Sequence, residues 1–210
     1  MIAAIVPAAG RGTRMGRPKL ALPVDGRPML QRVITALREG GADPVVVVTG
    51  PHDPALPAIA GAAGAEVCEL TAPTPDMRAT VEHGLRWLEE RYHPRPDDAF
   101  LLTPGDIPFL DAATVHTLCD AWVRRPAASI LVPTHAGRSG HPALIGWRHV
   151  EPIRWLPAGV GIDAYLHENA GEHQEVEAPS DTAADCDTVG DYQAPTAGSS
   201  LPITAPKPTR

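Results

Sequence analysis

The chain is predicted to fold as a three-layer α/β domain with a mostly parallel sheet, and three observations carry that prediction. An apolar run, Ile2 to Val6, leads straight into a glycine-rich loop, as a buried strand does. Val45-Val46-Val47-Val48 is a continuous β-branched run of the kind covered on both faces of a sheet. Between them, Met29, Leu30, Val33, Ile34 and Leu37 recur at helical spacing. Strand, helix and strand at this separation form a βαβ unit with a right-handed crossover. In such sheets ligands bind beyond the C-terminal ends of the strands.

The remaining elements follow in order. The first helix spans Pro28 to Glu39 and stops at Gly40-Gly41. Alanine-rich Pro54 to Gly64 reads as a second helix and Ala65 to Leu70 as a third strand. Asp76 is placed to cap a helix with Met77, Val81, Leu85 and Leu88 along one face. A polar linker, Tyr92 to Asp98, precedes a fourth strand at Ala99 to Thr103, and Asp111 caps a helix running to about Val123. Ile130-Leu131-Val132 and His141 to Gly146 read as strands, Ile162 to Glu168 as a short helix, and Gln174 to Glu177 as an edge strand. The domain is expected to cover residues 1–192. Residues 193–210, rich in Pro, Ser and Thr, lack the apolar surface to order themselves and read as a disordered tail.

Composition narrows the function. The net charge of −7 argues against a nucleic-acid surface, because such domains carry a basic excess. Basic residues nevertheless cluster at positions 11–19, which suits a small anionic ligand. Cys68, Cys119 and Cys186 form no C-x-x-C pair, so neither a disulfide framework nor a zinc site is expected. No apolar run approaches the roughly 18 residues of a membrane span, and no leader-like segment precedes the first strand, so a cytoplasmic protein is expected.

The chemistry concentrates in the loop after the first strand, Pro7-Ala8-Ala9-Gly10-Arg11-Gly12-Thr13-Arg14-Met15-Gly16-Arg17-Pro18-Lys19. Three glycines within seven residues bring backbone N–H groups close to a ligand, and three arginines and a lysine add positive charge. Donors and cations at the end of a first strand describe a polyphosphate cradle. A dinucleotide fingerprint is excluded, because the position three after Gly12 is Met15. A Walker A loop is excluded too, because Lys19 is followed by Leu20. The second signal is Thr103-Pro104-Gly105-Asp106-Ile107-Pro108, a carboxylate held rigidly just past a buried strand. Mg²⁺ on a nucleoside triphosphate takes one or two protein carboxylates, and Asp106 is the one expected here; its plain structural alternative is a turn cap.

The pattern A-A-G-x-G-x-R-M-G-x-x-K resembles the signature loop of the MobA-like NTP transferases, most closely the molybdenum cofactor (molybdopterin) cytidylyltransferases. The resemblance covers residues 1–192. It implies a Rossmann-like nucleotide-diphospho-sugar transferase fold and transfer of a nucleotide from an NTP to a phosphorylated acceptor such as molybdopterin, with release of pyrophosphate. Ala8, Ala9, Gly10, Arg11, Gly12, Thr13, Arg14, Met15 and Lys19 would bind the nucleotide with Thr80, Pro104 and Gly105. Arg14, Lys19 and Asp106 would be catalytic. Asp106 and Asp187 would hold Mg²⁺, with Asp185 the alternative second ligand and an acidic helix N-terminus the structural reading of that run. Gly140, His141 and Pro142 match an acceptor-side segment. Ala8-Ala9 and the short spacing after Met15 match cytidylyl-transferring members, so CTP is the expected nucleotide.

Three departures keep alternatives open. Pro7 stands where leucine is common in this branch and is familiar from sugar-phosphate nucleotidyltransferases. Asp163 falls where many members carry an arginine near the acceptor. Val189 and Gly190 depart from the late acidic motif. The alternatives are a sugar-phosphate or other small-acceptor enzyme, and a nucleotide-binding accessory protein that lost turnover. The latter would meet a cofactor-receiving enzyme transiently.

Overall fold

The computed structural model describes residues 1–10, 19–124 and 127–180. In chain order the elements begin with β1 (Ile2–Ala8), a 3-10 turn at Lys19–Ala21, β2 (Pro23–Val24), β3 (Arg27–Pro28), α1 (Met29–Glu39), β4 (Val45–Thr49), α2 (Leu56–Ala62) and β5 (Glu66–Glu69). They continue with α3 (Met77–Tyr92), β6 (Ala99–Leu102), α4 (Ala112–Val123), β7 (Ile130–His135), β8 (Arg138–Ser139), β9 (Ala143–Gly146), α5 (Val150–Arg154), α6 (Ile162–Glu168) and β10 (His173–Glu177). The main sheet has the order β10-β7-β9-β6-β1-β4-β5, with β8 paired to β7. β1, β4, β5 and β6 are mutually parallel, β9 runs antiparallel to both β6 and β7, and β10 closes the far edge parallel to β7. The predicted mostly parallel three-layer architecture is the observed one.

Strand alternation builds the layers. Ala4, Val6 and Ala8 of β1 face one core with Leu30, Val33, Ile34 and Leu37 of α1 and Val115 and Leu118 of α4. Ala3 and Ile5 face the other core with Val81, Leu85 and Leu88 of α3 and Ile162 and Tyr165 of α6. β4 is buried at all five positions, as its valine run predicts. From β1 the chain order steps outward through β4 and β5 on one side and returns to β6 on the other. The crevice between the C-terminal ends of β1 and β6 is therefore a topological switch point.

Three local readings change. Met77 does not share the buried face of α3; as the helix's first residue it is 54% exposed, and Thr80, Val81, Gly84, Leu85 and Leu88 form that face. The β2–β3 hairpin was missed although its turn is Asp25-Gly26, both at positive φ (49° and 79°), the geometry of a type I′ turn. α5 was missed because it is only five residues long. The expected tail lies outside the described residues. Among the described residues no helix is long and apolar enough to cross a membrane.

Candidate active site

A cavity of about 520 Å³ occupies the switch point. Its walls are Pro7 and Ala8 at the end of β1, Ala9 and Gly10 just past it, Lys19 and Leu20 of the 3-10 turn, His52 after β4, residues 73–77 and Thr80 at the start of α3, and residues 104–106 after β6. The structure thus brings together Ala8, Ala9, Gly10, Lys19, Thr80, Pro104, Gly105 and Asp106, eight residues proposed from sequence for one site. Arg11, Gly12, Thr13, Arg14 and Met15 lie outside the described residues, as does Asp187.

The chemical centre is the contact between Lys19 and Asp106. The Lys19 ammonium donates to Asp106 Oδ2 at 2.7 Å. The two side chains retain 11% and 23% of their exposure, so the pair is part-buried yet open to the cavity. Asp106 is held by its neighbours rather than by itself. Thr103, Ile107 and Leu110 are buried on either side of it, and the Thr103 amide donates to the Ile5 carbonyl. Arg32 on α1 donates through Nε to the Pro108 carbonyl at 2.8 Å and pairs with Asp25 of the hairpin at 3.3 Å. That makes Arg32 a positioning residue which sequence reasoning missed, since an arginine in a helix carries no local signal of a partner 76 residues away. At Gly105 a side chain would press on Leu20 at 3.2 Å and Leu30 at 3.4 Å, so the loop lies close over α1 and the 3-10 turn.

The loop after β1 is seated from below by Gly50. A Cβ there would lie 3.0 Å from the Ala9 carbonyl oxygen and 3.1 Å from its Cα, closer than side chains ordinarily pack. On the far wall, the Asp76 side chain accepts from the Ala79 amide at 2.8 Å and caps α3 as predicted. Thr80 is 3% exposed; its hydroxyl is 2.6 Å from that of Thr74 and donates back to the Asp76 carbonyl at 3.2 Å. Thr80 therefore fixes the 74–76 loop. Sequence reasoning missed His52 and Thr74 in this wall, for neither sits in a motif.

Gly140, His141 and Pro142 precede β9, whose Ala143 pairs with Leu102 at the end of β6. They lie at the same end of the sheet as the cavity but outside its walls. A second, smaller cavity of about 250 Å³ adjoins the first, sharing Asp76 and Met77 and reaching Arg78, Leu102 and Asp163. Among the described residues no group of three or more His, Cys, Asp or Glu side chains is arranged to hold a metal ion. Asp106 remains a hard oxygen donor in a cavity wall, which suits an ion arriving on a triphosphate rather than one caged by protein.

A polar chain at the opposite end of the sheet mimics a nucleophilic triad. The Ser129 hydroxyl donates to Glu172 at 2.8 Å and lies 2.6 Å from His149 Nε2, while His149 Nδ1 lies 2.6 Å from the Tyr165 hydroxyl. With the serine proton directed to Glu172, Nε2–H donates to Ser129 and Nδ1 accepts from Tyr165. No base is left to activate Ser129, so the chain is a lock between β7, α6 and β10.

Comparison with known proteins agrees with this fold. The family model of the MobA-like NTP transferase domain matches residues 4–176. The crystal structure of Rv0371c from Mycobacterium tuberculosis superposes with a TM-score of 0.76 at 26% identity, covering 91% of this chain and 95% of that one. The same protein in complex with manganese superposes at 0.70 and 25% identity, over 91% and 95% of the two chains. The bifunctional protein GlmU of Sorangium cellulosum is 36% identical over 63% of this chain and 28% of its own length. GlmU of Cellvibrio japonicus is 30% identical over 56% of this chain and 25% of its own. The chain thus spans about a quarter to a third of the length of these curated relatives.

Proposed function

Because the chain belongs to the MobA-like NTP transferase domain family, we propose that it transfers a nucleotide from an NTP, preferentially CTP, to a phosphorylated small-molecule acceptor. The observation that carries the reading is the Lys19–Asp106 contact inside the cavity at the β1/β6 switch point. In the proposed reaction an acceptor phosphate oxygen attacks the α-phosphorus. The bond from that phosphorus to the bridging oxygen breaks, and its electron pair leaves on pyrophosphate. The attacking phosphate is already ionised, so the step needs no general base. Positioning and charge neutralisation supply the rate.

The residues divide that work. Lys19 neutralises negative charge growing on the leaving pyrophosphate, and the amides of the loop that begins at Ala9, with Arg14 outside the described residues, cradle the phosphates. Thr80 and Thr74 shape the nucleoside wall, where the Ala8 and Ala9 methyl groups favour the smaller pyrimidine. Asp106, with Asp187, would hold Mg²⁺ on the triphosphate; when bound, the ion neutralises phosphate oxygens. A relative crystallised with manganese supports a divalent ion in this role.

Molybdopterin is the acceptor that the loop signature favours. A sugar phosphate is the second reading, favoured by Pro7 in the cavity wall, a residue familiar at this position from sugar-phosphate nucleotidyltransferases. Calorimetric titration with CTP, GTP, UTP and ATP, with and without Mg²⁺, followed by an assay of pyrophosphate release, tests the proposal. Mg²⁺-dependent preference for CTP and release with an acceptor support it. Tightest binding of UTP moves the assignment to sugar phosphates. Nucleotide binding without pyrophosphate release from any acceptor would leave a binding accessory protein.

A further inference from the structure

At the end of the sheet away from the Lys19–Asp106 chamber, we infer a binding site for a free α-amino acid with an apolar side chain. The inference is independent of the nucleotidyl-transfer reading. A separate cavity of about 320 Å³ opens there, beside the starts of β6 and β7 and the end of the antiparallel β9. Strand β6 separates it from the Asp106 loop, so its ligand is not a reactant in the transfer.

Backbone pairing places the two charges of the wall. Ala99 of β6 pairs with Gly146 of β9, and just beyond them the Trp147 amide donates to the Asp98 carbonyl at 2.8 Å. Asp97 and Arg148 are the next residues outward on the two sides, and both line the cavity. The Arg148 side chain is 53% exposed and donates from Nη2 to Glu172 at 2.6 Å. A guanidinium carries five N–H donors, so this bond holds the fork in place and leaves others for a ligand carboxylate. Asp97 is exposed and has a partner of its own, but a carboxylate accepts several donors and takes an ammonium as well.

Apolar surface makes up much of the remaining wall, from Pro96, Ala127, Ala128 and Trp122 near the end of α4. Gly146 lets the Trp122 ring approach β9, since a Cβ there would stand 2.9 Å from Trp122 Cη2. The indole thereby becomes a rigid aromatic wall for an apolar side chain. The volume lies at the small end of the roughly 300–1,000 Å³ of ligand sites, which suits a metabolite of amino-acid size. A plain carboxylic acid would satisfy Arg148 and oppose Asp97, and a plain amine would do the reverse. An α-amino acid carries both charges on one carbon and leaves its side chain for Trp122 and the alanines.

The test is calorimetry on the full chain with L-phenylalanine and its two truncated forms, 3-phenylpropionate and phenethylamine. L-Phenylalanine is expected to bind with a Kd of about 1 mM or tighter, an ordinary efficiency for so small a ligand. Each truncated form should bind at least about tenfold more weakly, the scale of one charged hydrogen bond lost. Arg148→Gln should close the gap between L-phenylalanine and phenethylamine, and Asp97→Asn the gap to 3-phenylpropionate. Both residues are exposed, so their replacements leave the core intact, and the comparison of ligands on the wild type needs no variant. The affinity for L-phenylalanine should be the same with and without CTP and Mg²⁺. Four results would each overturn the inference: no binding of L-phenylalanine at about 10 mM, a truncated form binding as well as the amino acid, gaps indifferent to residues 97 and 148, or displacement by CTP.

Discussion

Lys19 and Asp106 stand 87 residues apart in sequence and meet at 2.7 Å, joining the loop that follows β1 to the loop that follows β6. Both strands are parallel neighbours in the middle of the sheet, so their C-terminal ends are fixed side by side by backbone pairing from Ile2–Ala99 to Ile5–Leu102. The site's two chemical groups thus owe their meeting to strand order. A cation and a carboxylate so placed serve a polyphosphate well, because the ammonium can turn to phosphate oxygens when these arrive.

Removing either partner should stop chemistry and spare the fold. Lys19→Ala and Asp106→Asn are each expected to lower kcat/KM at least about a hundredfold, in line with loss of a group that stabilises transition-state charge. The pair is part-buried in the cavity wall and packs no part of either core, so the melting temperature should move only a few degrees. Steady-state pyrophosphate release and a thermal melt on the same samples check this. Near-normal turnover in either variant would remove that residue from the mechanism.

Gly50 offers a way to disturb the loop after β1, the proposed phosphate cradle, without replacing any of its residues. A methyl group there meets the Ala9 backbone at 3.0–3.1 Å and its Cβ at 3.2 Å, so Ala9 must yield by a few tenths of an ångström. Gly50→Ala is expected to raise the KM for the NTP about three- to tenfold with a smaller change in kcat. The displaced atoms belong to the cavity wall proposed to hold the nucleotide, and the Lys19–Asp106 contact lies elsewhere in it. A kinetic split of the opposite kind, with kcat lost and KM kept, would show that the loop start does not set nucleotide binding.

The sequence made the two loops legible because each ends a strand whose apolar run is unmistakable, and because glycine, proline and lone charges mark such loops. Ile2 to Val6 and Ala99 to Leu102 form strands as those runs predict, and the structure pairs them side by side. Asp76 and Asp111 cap their helices, accepting from the Ala79 and Thr114 amides, because an acid before an amphipathic run has that use. Contacts between distant elements were hidden. Arg32 reaching Pro108, Gly50 beneath Ala9, and Thr74 beside Thr80 are consequences of packing, and no local spacing announces them. The second cavity was equally hidden, since its walls come from the ends of β6 and α3 and the segment before α6.

Gly84 tests how closely α3 must approach the sheet. A Cβ at this helical position would stand 2.9 Å from Ile5 Cγ2 and 3.0 Å from Val48 Cγ2, both methyls of buried β-branched residues. Gly84→Val is therefore expected to destabilise the protein by roughly 1–3 kcal/mol through overpacking, despite removing a helix glycine. Urea unfolding with an unchanged m-value would measure it. Equal or greater stability in the variant would mean that α3 can slide outward, and with it the Thr80 wall.

The lock at the far end of the sheet predicts acid sensitivity. Burial, helped by the neighbouring Arg148 charge, holds His149 below its usual 6.5 against the opposing pull of Glu172. The neutral ring fits the chain: Nε2–H donates to Ser129 and Nδ1 accepts from Tyr165. A protonated Nδ1–H would point at the Tyr165 hydroxyl proton and displace it. The folded state therefore releases a proton that the unfolded chain keeps just below pH 6.5. Stability is fully present above 6.5 and declines as pH falls from there toward the depressed folded value. One such group contributes a slope of at most about 1.4 kcal/mol per pH unit. Urea unfolding between pH 5 and 7.5 should show a steeper loss for the wild type than for His149→Gln, which cannot take up the proton. Parallel pH profiles for the two proteins would show that His149 titrates alike in both states and that the lock carries no acid sensitivity.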